Sequence, residues 1–166
     1  MTDISSELAA RVQALEDVAE IKDVQYAYWR SIDLKQPDDF RDILAAGEIR
    51  INFPGAPLIT DREDLIGMVK EHGMAPTYQG SHLGLSPQIR LTSGNSATGS
   101  WRVLALAYDF AQRTVTRLIV SYESDYVRTQ DGWRIKGMAV RQQSMMVETV
   151  AEGGDVTASS FGPVGG

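Results

Sequence analysis

Leu8, Val12, Leu15, Val18, Ile21, Val24, Tyr28 and Ile32 recur every three or four residues, a spacing that puts them on one face of a helix. Glu7, Arg11, Glu16, Lys22 and Asp23 fill the other face. The pattern predicts one long helix that starts at a Ser5 or Ser6 cap, bends near Asp17 and ends near Leu34, before Pro37. Pro37 with the two aspartates after it predicts a short second helix over 37–44. Residues 48–53 alternate polar and apolar side chains as a half-buried strand does, until Pro54-Gly55 interrupts them. Asp61 caps a third helix over 61–71, whose buried face is Leu65, Ile66 and Val69, with Gly73 after its end. From there the signals are those of strands, at 84–91, 97–110, 115–128 and 133–147. Ser93-Gly94-Asn95, Gln112-Arg113 and Asp131-Gly132 mark the turns, the last being a strong hairpin signal.

Helices first and long strands afterwards predict an α+β fold, with N-terminal helices packed on one face of a curved, mostly antiparallel sheet. The 166 residues suit one domain over 1–150. The segment 151–166, rich in Gly, Ser and Thr, has little to bury and is expected as a flexible or partner-docked tail. A net charge of -6 without a Lys or Arg run argues against nucleic acid, whose phosphates need a basic stripe. No apolar stretch is long enough to span a bilayer, so no membrane partner is expected either. The chain has no cysteine, which removes disulfides, thiolate nucleophiles and zinc-thiolate sites. With no leader pattern at its start, the expected compartment is the cytoplasm.

Four side chains invite a chemical reading, and each has a plainer one. Asp33 falls at a helix C-terminus, where the dipole disfavours a carboxylate by roughly 0.3–1 kcal/mol; either it pairs with Arg30 or Lys35, or it orients a histidine. His82, in Gln79-Gly-Ser-His-Leu-Gly-Leu, is a structural histidine or a general base. His72, beside Gly73, reads as structural. Tyr28 belongs to the apolar stripe and suits a core aromatic. It shares a pocket with Asp33, about 140 degrees round a regular helix, only where the helix end bends or meets the sheet. Arg141 has the strand parity of Ile135, Gly137 and Ala139, and either snorkels to an edge or anchors a substrate anion. Two distant histidines and no clustered carboxylates predict no metal site. No phosphate loop or nucleophile elbow is present, so proton transfer by Asp, His and Tyr remains.

The helix residues 20–33 ending in Asp33, the run His82-Leu-Gly-Leu-Ser-Pro-Gln-Ile with Ala97-Thr-Gly and Trp101, and Asp131-Gly-Trp-Arg-Ile together resemble one family. It is the SnoaL-like branch of the nuclear transport factor 2-like cone fold, and the resemblance spans roughly residues 8–146. Within it the chain looks most like the bile acid 7α-dehydratases, and more distantly like scytalone dehydratase and hexachlorocyclohexane dehydrochlorinase. Tyr28, Asp33, His82 and Arg141 match the bile acid enzymes' motif, whereas Ala105 stands where those enzymes have an aspartate.

The resemblance implies catalysis by Tyr28, Asp33 and His82, with Arg141, Ala105 and Trp101 at the substrate and no cofactor. It implies elimination of water from a small apolar hydroxylated carbonyl compound, such as a steroid or its coenzyme A thioester. It also implies a homo-oligomer, a trimer before a dimer. An isomerase or cyclase on the same scaffold needs the same base without a leaving group. A non-catalytic ligand-binding module requires instead that Asp33 and His82 stand apart, or that the cavity be filled.

Overall fold

The apolar stripe forms one unbroken helix, α1 (Ile4–Asp33), in a computed structural model that describes residues 4–163. The expected bend at Asp17 is absent. Asp17 accepts from Gln13 at 3.0 Å and from the Trp133 indole at 3.4 Å, and pairs with Arg128. The Arg128 guanidinium in turn lies 4.9 Å from the Trp133 ring centre, a cation over an aromatic face. These contacts fasten the helix to the sheet at this point and keep it straight. The stripe is buried from Ile21 to Ile32, but Leu8, Val12 and Leu15 are exposed, so its first half projects beyond the sheet.

After α1 come α2 (Pro37–Asp42), β1 (Glu48–Asn52), β2 (Ile59–Asp61) and α3 (Arg62–Glu71). The Asp61 side chain caps α3 by accepting from Glu63 N at 2.7 Å and Asp64 N at 3.1 Å, as its position predicted. His72 closes that helix as its C-cap. Five strands follow: β3 (Tyr78–Ser93), β4 (Ser96–Asp109), β5 (Thr114–Thr129), β6 (Gly132–Val150) and β7 (Val156–Pro163). At the Asp131-Gly132 turn, Gly132 takes a φ of +99°, a conformation open to glycine at little cost.

The sheet is mixed, in the order β2-β1-β6-β5-β4-β3, and β7 also pairs with β6. Only β1 runs parallel, with Arg50 opposite Gly137 and Asn52 opposite Ala139. The far half of β6 carries β7, from Ser144 opposite Pro163 to Val150 opposite Val156. Residues 156–163, part of the segment expected as a flexible or partner-docked tail, form a strand of the sheet held by main-chain hydrogen bonds.

α1 packs on the sheet's inner face, against the buried Trp101, Tyr122, Tyr126 and Trp133, with Val103 and Ala105 in the same core. Within that interface Gln25 Oε1 accepts from Ser124 at 2.9 Å and from the Tyr126 hydroxyl at 2.6 Å, and that hydroxyl accepts from Trp101 Nε1 at 3.0 Å. Buried polar atoms satisfied in this way fix the helix's rotation on the sheet. Beside them the Trp29 ring lies against Gly84, where a Cβ would stand 2.1 Å from Cζ3. No helix among the described residues is long and apolar enough to cross a membrane.

Candidate active site

The end of α1 sets the site. Gln36 N donates to Ser31 O at 2.8 Å and Lys35 N to Ile32 O at 3.1 Å, with Lys35 in the left-handed region at φ +57°. This reversal is the usual way to close a helix, with lysine in the place glycine commonly takes. The Lys35 ammonium donates to Ala75 O at 2.9 Å, so the plainer pairing with Asp33 is not made. Asp33, the last helical residue, turns to β3 instead.

There the carboxylate meets His82 twice. His82 N donates to Oδ2 at 2.8 Å, and Nδ1 lies 2.7 Å from Oδ1. An ionised carboxylate only accepts, so this pairing places the imidazole proton on Nδ1 and leaves Nε2 as the lone-pair nitrogen. Two hydrogen bonds to a charged group, at about 1.5–3 kcal/mol each, outweigh the helix-end cost of about 0.3–1 kcal/mol. Gln79 Nε2 steadies the junction by donating to Asp33 O and Gly80 O, both at 2.9 Å. Gly80 has a packing role as well, since a Cβ there would stand 3.2 Å from Asp33 Oδ1 and 3.5 Å from His82 Cε1. The two side chains keep 18% and 19% of their surface exposed for His82 and Asp33, so the imidazole is reachable. His82 lies inside β3, not at its opening as expected.

Tyr28 is 2% exposed, between the rings of Phe40 at 5.3 Å and Tyr122 at 6.4 Å. Its hydroxyl ionises only well above the usual range because it is buried, with Tyr122 adding to the effect. Tyr122, 6% exposed, is pushed up to about 12, chiefly by burial; Trp29 opposes the shift, and the Asp33 charge and Tyr78 add to it. Tyr78 is raised by burial, then by Asp33 and Asp109. The Asp33 carboxylate thus acts on two tyrosines that the sequence reading did not single out. Tyr78 shares strand parity with Gly80 and His82, and Tyr122 shares it with Val120, Ser124 and Tyr126. Counting parity from His82 and from the buried strand centre was the signal available.

Ala105 is the cross-strand partner of His82 in the β3–β4 pair and is buried. A methyl group therefore stands beside the imidazole at this position. Trp101 is fully buried, its indole N–H bound to Tyr126 and its ring packed on Tyr26 at 5.4 Å and Trp29 at 5.3 Å. It walls the core and offers no free polar atom to a substrate. Arg141 is not brought to the site. Tyr126 pairs with Ile135 but Asp125 with Gly137, so Lys136 is an extra residue in β6. The bulge inverts the parity that had placed Arg141 with Ile135. Arg141 faces outward opposite Ser121, exposed. Among the described residues no group of three or more His, Asp or Glu is gathered as metal ligands.

A family model described as a SnoaL-like domain matches residues 13–139. Comparison with curated proteins finds no match. Among solved structures, the chain is similar to a candidate scytalone dehydratase from Novosphingobium aromaticivorans, with TM-score 0.73 and 17% identity over 80% of this chain and 87% of that one. It is also similar to the hexachlorocyclohexane dehydrochlorinase LinA-type3 from Novosphingobium barchaimii, with TM-score 0.71 and 17% identity over 94% and 95%. A third is a candidate dehydratase of the nuclear transport factor 2-like family from Streptomyces avermitilis, with TM-score 0.66 and 16% identity over 75% and 95%. At these identities the likeness is one of fold.

Proposed function

Since the chain belongs to the SnoaL-like family, we propose that it is a cofactor-independent dehydratase, a hydro-lyase that eliminates water from a hydroxylated apolar carbonyl compound. The observation that carries this reading is the doubly bonded Asp33–His82 pair. It supports an enzyme over a passive ligand module, which has no need of an oriented imidazole. His82 Nε2 takes a proton from a carbon made acidic by a conjugated carbonyl, and Asp33 stabilises the imidazolium that results. The electron pair moves onto the carbonyl oxygen, where the neutral Tyr28 hydroxyl steadies the charge. As the pair returns, the hydroxyl group departs and takes the proton from His82, so that water leaves and the imidazole is restored. Apolar neighbours of the pair, Val103 and Ala105, suit a greasy substrate such as a hydroxysteroid, free or as its thioester. Arg141 remains a candidate for substrate anchorage only through an assembly that brings the outer face of β6 to a site.

Screening hydroxysteroids and simpler hydroxy ketones, free and as thioesters, for loss of water tests the assignment. Unchanged product mass would point to an isomerase instead. In the folded His82→Ala variant, turnover is expected to fall about 100- to 10,000-fold; full elimination activity there would refute the assignment. We also propose that the sheet's outer face is covered by further copies of the chain, as a trimer before a dimer. Leu83, Leu104 and Ile119 are exposed and stand in one cross-strand row.

A further inference from the structure

We propose that Tyr78 is a specificity-determining residue whose ring is the partition between the Asp33–His82 pair and a second, polar cavity. It confines the reaction to compact hydroxy carbonyl compounds, which carry no long chain on the side that faces the ring. The inference rests on the dehydratase reading above and adds what limits its substrate.

Tyr78, Gly80 and His82 alternate along β3, so they line one face of the strand. Gly80 brings no side chain, and its neighbours close around the gap. A Cβ there would stand 3.6 Å from Tyr78 Cε1, 3.5 Å from His82 Cε1 and 3.2 Å from Asp33 Oδ1. Phenol, imidazole and carboxylate thus meet around one unfilled place. Main-chain bonds anchor the start of the strand: Tyr78 N donates to Ala75 O at 3.1 Å, and Phe110 N to Thr77 O at 2.8 Å.

Tyr78 also borders a cavity of about 420 Å³, which Glu71, His72, Thr77 and Asp109 help to line and which neither Asp33 nor His82 lines. That volume suits a small molecule. Tyr78 alone belongs both to this lining and to the group gathered at Gly80, so its ring is the wall the two spaces share. The two sides of the wall differ in chemistry. Glu71 and Asp109 give the cavity two carboxylates and it has no lysine or arginine in its lining; the Lys35 ammonium is held by Ala75 O. A hollow lined by one sign of charge gathers the opposite sign, so this one takes an ammonium or hydroxyl group and turns a carboxylate away. Beside the imidazole stands the methyl group of Ala105, which suits apolar carbon. With the ring in place the two spaces fill separately; without it one compound reaches both.

The chain has two histidines, and they stand on the two sides of this wall, His72 in the cavity and His82 in the pair. Their imidazole proton resonances, assigned with His72→Gln, report the two spaces separately in the full chain. The probe is 3-phenylpropylamine at constant pH, whose ammonium suits the cavity and whose ring is long enough to pass beyond it. In the wild type and in Tyr78→Phe, which keeps the ring, it is expected to shift His72 and leave His82 in place; 3-phenylpropionate should leave His72 unmoved. In Tyr78→Ala the amine should shift both. Equal shifts of both imidazoles in the wild type overturn the inference, even where Tyr78→Ala fails to fold, and so does a His82 that stays unmoved in the folded Tyr78→Ala variant. A His72 that the amine does not shift rejects the cavity as its site. In turnover, Tyr78→Ala should raise kcat/KM for an amine-bearing hydroxy ketone tenfold or more relative to the unsubstituted parent. The resonance shifts need no turnover, so they stand apart from the dehydratase reading, which full elimination activity in His82→Ala sinks.

Discussion

At the scale of single residues, Gly84 and the buried phenols make the sharpest statements. The Trp29 ring occupies the place of a side chain at residue 84, so Gly84→Ala drives a methyl group into an aromatic ring held by Trp101 and Tyr122. Overpacking of this kind costs about 1–3 kcal/mol, and at roughly 2–4 °C per kcal/mol for a domain of this size a drop of several degrees in Tm is expected by calorimetry. The phenols predict a response to alkali. In the unfolded chain tyrosine ionises near 10, whereas Tyr28, Tyr122 and Tyr126 ionise higher in the fold, chiefly through burial. Above pH 10 the unfolded state releases protons that the folded state keeps. The stability present below that pH is lost as pH rises toward about 12. Denaturant midpoints measured across that window should fall, and more gently in Tyr122→Phe. The same scale shows how much of the site could be read beforehand. Parity and capping alone left Asp33, His82 and Tyr28 with plain structural roles, and the family resemblance singled them out. The Asp33–His82 distance depends on how a helix end meets a strand far along the chain, which no local spacing encodes.

At the scale of elements, periodicity reports that a helix has two faces and not that both ends of it are covered. Residues from Leu8 to Ile32 keep one period, yet only the later half finds a sheet beneath it. Local chemistry was a better guide at α3, where Asp61 caps the helix through two main-chain donors. Asp61→Ala is expected to cost about 1 kcal/mol, seen as a lower urea midpoint with an unchanged slope. Strand parity was legible up to the bulge at Lys136 and reversed beyond it, which moved Arg141 to the opposite face. A bulge has no compositional mark of its own here, since Lys136 suits either a paired or an unpaired place. β7 was hidden for a related reason: main-chain pairing holds it, and composition speaks mainly of side chains.

At the scale of the whole molecule, the exposed row of Leu83, Leu104 and Ile119 starts on the strand that bears His82 and crosses the next two strands on the sheet's outer face. Leu104→Glu with Ile119→Glu places charges in that row without touching the inner face, and light scattering should show the assembly falling to monomers; a wild-type chain that is already monomeric in solution removes the oligomer proposal. Strands β3 to β6 follow one another through short turns and can pair as they emerge, but β1 must find β6 across most of the domain. Contacts so distant in sequence are slow to form. Asp33 lies before β1 and His82 within the meander, so a chain with its meander already built still lacks the Asp33–His82 pair. On the proposed dehydratase activity, refolding should restore the circular dichroism of the strands before it restores turnover, so that a chain caught between the two stages would be folded to the eye of the spectrometer and inert to the substrate.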